Sequence, residues 1–155
     1  MTSPPWLRAG HGGGVPLRLL EGHHTMNIAL WAAQFVLAFV FLVSGTCKSL
    51  WSKERLVAAG QTGVQFFPLP AIRLIAASEL LAVVGVTLPW LIDVAPILTP
   101  LAAVGLGVVM IGATTTHIKL REPKNIVITC VIFVVCVFVA IGRFVDVARE
   151  AGAVT

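Results

Sequence analysis

Charge is what this chain lacks. Only 12% of its 155 residues are charged, with eleven Lys and Arg against seven Asp and Glu, where a typical soluble domain carries about 25%. That scarcity, with 57% apolar residues and a mean hydropathy of +0.95, excludes an ordinary soluble domain. Cysteine is sparse too. Three are present, with no CxxC pair and no metal-spaced Cys/His set, so no metal site is expected. Cys130 and Cys136 stand six apart on one apolar run, on different faces, and cannot bridge each other. Cys47 can reach the depth of Cys130, as a contact or simply as one of two small apolar fillers. His117 is the one histidine within an apolar run, which argues against a haem held by two in-membrane histidines. The fragment His11–Gly14 is similar to a lipase oxyanion loop, yet the chain has no GxSxG elbow to go with it. Long linkers, low-complexity tracts and internal repeats are lacking as well, so a single domain is expected.

What is present is apolar length. A membrane helix needs roughly 20 apolar residues, and four segments meet or approach that: Ile28–Lys48, Ala71–Leu91, Ile97–His117 and Asn125–Phe144. Trp31 and Trp51 bracket the first, about 30 Å apart on a helix, which is the thickness of the hydrocarbon layer. Trp90 marks the far end of the second, and tryptophan at both rims is what interfacial anchoring requires. The expected fold is all-α, a membrane four-helix bundle. The Trp51–Pro70 connection mixes Lys53, Glu54 and Arg55 with Leu56, Val57, Phe66 and Phe67. It reads as a short interfacial helix between spans 1 and 2, broken by Gly60 and Gly63 and stopped by Pro68 and Pro70. Asp93–Pro96 reads as a tight turn, and Leu120–Lys124 as a short basic one containing Pro123.

The third span carries Ala103, Leu106, Met110, Ala113 and His117 on one face, with Gly105 and Gly112 beside it. Small residues of this kind let helices approach closely in lipid. Residues 1–25, rich in Pro and Gly, read as a disordered extension, with Met26 an alternative start. The bundle is expected over 26–146 and a tail over 147–155. The first span is too long for a signal-peptide core and lacks a small-residue cleavage site. Ser44–Cys47 lacks the branched aliphatic that a lipoprotein box needs.

Basic residues set the expected orientation. Lys48, Lys53, Arg55, Arg73, Lys119, Arg121 and Lys124 flank one side, against Arg8, Arg18, Arg143 and Arg149 on the side of the termini. These cations lie in short loops, as topogenic charge does, and do not form a nucleic-acid surface. The positive-inside rule puts the basic loops in the cytoplasm and both termini outside, in a plasma (inner) membrane of bacterial type.

Glu79 interrupts the second run, where a carboxylate must be paired, neutralised or put to use. Lys48, Arg73, Glu79 and His117 fall in the same third of the bilayer, on three helices. Arg73 and Glu79 are six apart and point to nearly opposite sides. Lys48 or His117 is therefore the expected partner. The set can pin the bundle, or it can line a polar pocket for a head group, a quinone or a proton. Thr114, Thr115 and Thr116 can add hydroxyls to that pocket or bond back to their own helix.

From Met26 to Phe144 the chain resembles the DoxX-like family of small four-span membrane proteins. The resemblance rests on MNIALW at Met26–Trp31, SGTCKSL at Ser44–Leu50, SELLAVVGVTLP at Ser78–Pro89, LTPLAAVGLGVVMIGA at Leu98–Ala113, THIKLRE at Thr116–Glu122 and GRF at Gly142–Phe144. It implies a membrane four-helix bundle, with Lys48, Glu79 and His117 at the family's recurrent polar positions and Arg143 at its closing basic one. It does not imply a reaction. Relatives are linked to quinone-coupled sulfur oxidation, to redox-stress assemblies and to maturation of partner proteins. Some carry a basic residue in the second connection, which would put the termini inside; this chain has Asp93 there.

The functional expectation is an accessory subunit of a membrane redox or quinone-linked system, in contact with the lipid bilayer and with a protein partner or further copies of itself. The alternatives are a structural or chaperone-like subunit without chemistry of its own, and a small-solute carrier. Four spans without a repeat suit alternating access poorly unless the protein dimerises.

Overall fold

In the computed structural model the backbone is described for residues 17–153 and the side chains for residues 24–153. The elements run α1 (Leu17–Leu50), α2 (Lys53–Ala58), a 3-10 turn (Thr62–Phe66), α3 (Leu69–Leu91), α4 (Leu98–Leu120) and α5 (Pro123–Ala153). Four of these helices are long and apolar enough to cross a membrane. Each packs on its neighbours in a ring, α1 on α3, α3 on α4, α4 on α5, and α5 back on α1. The all-α membrane bundle expected from the sequence is the fold observed.

The surface identifies the solvent. Leu74, Leu81 and Phe39 are each at least 70% exposed, whereas Gln34, Glu79 and Arg143 are fully buried. In water that arrangement would cost far more than the core returns; in hydrocarbon it is what burial rules demand. The interior is a narrow apolar layer of Leu37, Phe41, Val86, Ala103, Leu106, Met110, Cys136 and Val139, drawn from all four spans.

Two helices outrun the bilayer. α1 has 34 residues and α5 has 31, or roughly 45–50 Å each at 1.5 Å per residue. α1 starts and α5 ends at the same end of the bundle. Leu17–Thr25 are helical: an uninterrupted run of non-proline residues leads into the span and the helix continues back through it. Residues 1–16, with His11–Gly14, lie outside the described residues. The expected tail after residue 146 is likewise helical as far as Ala153.

The ends of the elements follow local chemistry. Ser52 caps α2, its hydroxyl accepting from Arg55 N–H. Gly60, at φ 93°, closes the helix, with Gln61 N–H donating to Leu56 C=O and Gly60 N–H to Val57 C=O. Pro70 does not stop the connection as expected. It lies in the first turn of α3, where its missing N–H has no helical partner to lose. Pro123 similarly opens α5. Leu56, Val64 and Ile72 form a small second core that seats α2 and the 3-10 turn against the base of α3.

Close helix approach uses other glycines than those the periodicity picked. Gly105 and Gly112 have open space where a Cβ would stand. Gly85 faces the Ala102 methyl across α3 and α4, and a methyl on Gly142 would overlap the Leu30 side chain. Gly142 thus draws α5 onto α1 at the end where both helices are longest.

Candidate functional site

Lys48 ends α1 and Glu79 sits ten residues into α3. The two meet, with Lys48 Nζ 2.5 Å from Glu79 Oε1. The Glu79 side chain is fully buried and Lys48 is 13% exposed. Ser44, one turn before Lys48, accepts a second hydrogen from the ammonium at 2.8 Å. The other carboxylate oxygen, Glu79 Oε2, is buried with no hydrogen-bond partner. Of the two partners the sequence offered Glu79, Lys48 is the one used.

Arg73 does not join this set. Its guanidinium turns to the end of α1, donating to Lys48 C=O and, at 3.2 Å, to Trp51 C=O. It therefore satisfies carbonyls that the helix terminus leaves free and stays outside the cavity described below.

His117 finds a different carboxylate. Its Nδ1 lies 2.8 Å from Glu122 Oε2. Glu122 is placed by the end of α4: Arg121 takes a left-handed conformation at φ 55°, and Glu122 N–H turns back to His117 C=O. The same oxygen accepts from Thr62 at 2.6 Å and from Asn125 at 2.8 Å. Glu122 thus ties the 3-10 turn to the α4–α5 junction. The Thr62 hydroxyl, then Asn125 and His117, hold the Glu122 carboxyl below its ordinary value of 4.5.

A depressed folded value means that this tether is fully formed above pH 4.5 and is lost as pH falls through the folded value. Hydrogen exchange at Thr62–Phe66, compared with a Glu122→Gln variant at each pH, should show wild-type protection that fades only in acid. Parallel profiles for the two proteins would remove the tether from the account.

Lys48, Glu79 and His117 line one cavity of about 450 Å³. Its remaining wall is mostly apolar, including Val40, Phe41, Ile75, Met110 and Ile132. Val43, Phe67 and Ile128 line it and are also exposed on the outer surface. These exposed apolar residues lie along α1, the segment after the 3-10 turn and α5. Three of the four threonines of α4 bond back to their own helix, Thr114 to Met110 C=O and Thr115 and Thr116 to Gly112 C=O. Thr116 still lines the cavity. Among the described residues no group of three His, Cys, Asp or Glu side chains is placed to hold a metal ion. All three cysteines are free.

A second polar cluster, at the opposite end, escaped the sequence reading. Arg143 is fully buried. Its Nε and Nη2 donate to Gln34 Oε1 at 2.8 and 2.6 Å, and its Nη1 donates to Asn27 Oδ1 at 3.0 Å and Asp146 Oδ2 at 3.2 Å. The guanidinium carbon lies 4.2 Å from the Trp90 ring centre and 5.4 Å from that of Trp31. Gln34 Nε2 donates onward to Val86 C=O at 2.6 Å. One arginine and one glutamine thus join α1, α3 and α5. The signal was in the sequence: Gln34 is a lone amide inside an apolar run, and 109 residues separate it from the only cation that ends another run on its side of the bundle.

No curated protein and no solved structure matches the chain. The sequence profile of the DoxX-like family matches residues 32–139. That stretch begins after Trp31, ends at Val139 and holds Lys48, Glu79, His117 and Glu122, while Arg143 lies just beyond it. With four apolar spans closed into a ring around a buried ion pair, the chain is an integral, multi-pass membrane protein and belongs to the DoxX-like family.

Proposed function

We propose that this protein binds a lipid-soluble molecule within the membrane, holding its polar head at Lys48, Glu79 and His117. In this reading it serves as an accessory subunit of a membrane redox or quinone-linked system. The observation that carries the reading is Glu79 Oε2. It is a buried carboxylate oxygen with no hydrogen-bond partner, on the wall of a cavity lined in part by exposed apolar residues. Unmet polar atoms of this kind cost about 1–3 kcal/mol, which a purely structural ion pair has no reason to retain. A volume of 450 Å³ lies within the usual range for small-molecule sites, and an apolar wall with one polar end suits a quinone-class head group.

Three further points bear on the role, the path and the orientation. The longest connection among the described residues is folded into α2 and the 3-10 turn, which favours an accessory role beside a protein partner or a further copy. The apolar layer of Leu37, Phe41, Leu106 and Met110 separates the two polar clusters, which disfavours a carrier path from one side to the other. The excess of basic residues around the Lys48 end favours placing that end in the cytoplasm of a cell with a plasma (inner) membrane.

The test is to extract the full chain in mild detergent and to identify bound small molecules by native mass spectrometry. A stoichiometric lipid-soluble molecule with a polar head is expected. Recovery of bulk lipid only, in bulk proportions, would favour the structural or chaperone-like alternative.

A further inference from the structure

The cavity wall keeps a buried acceptor that its own donors do not reach, and this points to the chemistry of what it holds. On its wall the Thr116 hydroxyl already donates to Gly112 C=O at 2.9 Å, the Thr129 hydroxyl to Asn125 C=O at 3.0 Å, and Asn125 Nδ2 to Glu122 at 2.8 Å. Lys48 has given two of its three hydrogens to Ser44 and Glu79. The Ser44 hydroxyl hydrogen and the second Asn125 amide hydrogen have no acceptor in the structure, yet neither reaches the free carboxylate oxygen. Glu79 Oε2 is buried without a partner, and an ionised carboxylate can only accept.

His117 adds a second fixed acceptor. In the neutral imidazole, Nδ1–H donates to the Glu122 carboxylate, which leaves Nε2 with its lone pair. Gly63 keeps that nitrogen uncovered, since a Cβ there would stand 3.4 Å from Nε2. Gln61 Oε1 is also without a partner, but its amide can turn either way and does not decide the matter. Glu79 Oε2 and His117 Nε2 therefore remain as acceptors that none of the cavity's own donors reaches.

We propose that the cavity selects a lipid-soluble ligand bearing hydroxyl donors, and binds it in preference to the carbonyl form of the same skeleton. Glu79 Oε2 and His117 Nε2 receive the hydroxyl hydrogens. A carbonyl oxygen in the same place would leave both acceptors unmet and set lone pair against lone pair. The inference rests on the reading of the cavity as a ligand site and adds to it the sign of the recognition.

A matched pair of probes tests it: a short-chain prenylated hydroquinone and the corresponding quinone. Both are titrated calorimetrically into the full chain in mild detergent, without oxygen, at pH 8. The hydroquinone should bind at least about tenfold more tightly. In Glu79→Gln the amide offers hydrogens in place of a carboxylate oxygen, so the preference should shrink or reverse. Equal affinities in the wild-type protein, or tighter binding of the quinone, would overturn the inference while leaving the cavity a ligand site. Binding of neither probe would overturn the ligand-site reading, and the inference with it. The wild-type comparison decides even where the variant fails to fold.

Discussion

Arg143→Met will lower the unfolding free energy of the protein in detergent by about 3 kcal/mol. The figure comes from adding what the guanidinium does. It makes four hydrogen bonds, two to Gln34 and one each to Asn27 and Asp146, and polar contacts between membrane helices average about 0.6 kcal/mol each. Two tryptophan faces cover it, and a desolvated cation–π contact adds about 0.5–2 kcal/mol. Methionine fills much of the same volume, so the loss measures polar contacts and not a void.

Two companions sharpen the result. Arg143→Lys keeps the charge but cannot present a planar fork to Gln34, and should fall between wild type and Arg143→Met. Arg143→Met combined with Gln34→Leu should recover part of the loss, because no buried amide is then left without its donor. Equilibrium unfolding of the four proteins in one detergent is the measurement. An Arg143→Met protein as stable as wild type would mean that the cluster holds nothing together.

The second large effect separates binding from bundle stability at the other end. Removing either member of the Lys48–Glu79 pair leaves the other buried and uncompensated, which should cost about 3–5 kcal/mol. Replacing both, as Lys48→Met with Glu79→Leu, should return stability to within about 1 kcal/mol of wild type, since an ion pair and an apolar pair of similar volume are often equivalent in a low-dielectric interior. On the ligand reading, the stable double variant no longer enriches its bound molecule. A double variant that folds and still retains its ligand would place recognition elsewhere. A double variant as unstable as the singles would make the pair a structural element first.

How far the site could be read in advance depended on separation and on chain direction. Lys48 and Glu79 were legible together because both stand out within apolar runs, and the alternation of spans puts the end of α1 beside the beginning of α3. Arg73 misled because depth alone does not say which way a side chain turns. Six positions from Glu79 it points away from it, to the carbonyls that end α1. Glu122 was passed over because it lies in a short loop, where carboxylates are usually solvated. Only the left-handed Arg121 brings it back to His117, and nothing in the local pattern demands that conformation of an arginine. Gly105 and Gly112 kept a tidy heptad but face outward, whereas Gly85 and Gly142 make the close contacts. Periodicity reports that a small residue is present, and the tilt of the neighbouring helix decides whether it is needed.

The seam between α1 and α5 is sewn at one end and parted at the other. Leu30 against Gly142 and Gln34 against Arg143 hold the two helices together where they are longest, while Val43 and Ile128 stand apart as the jambs of the cavity mouth. On the ligand reading, the opening would then face one leaflet of the bilayer only. A molecule in the other leaflet would first have to cross the membrane before it could enter. For a tail-bearing compound whose head group flips slowly, the leaflet into which it is delivered would then decide whether this protein ever meets it.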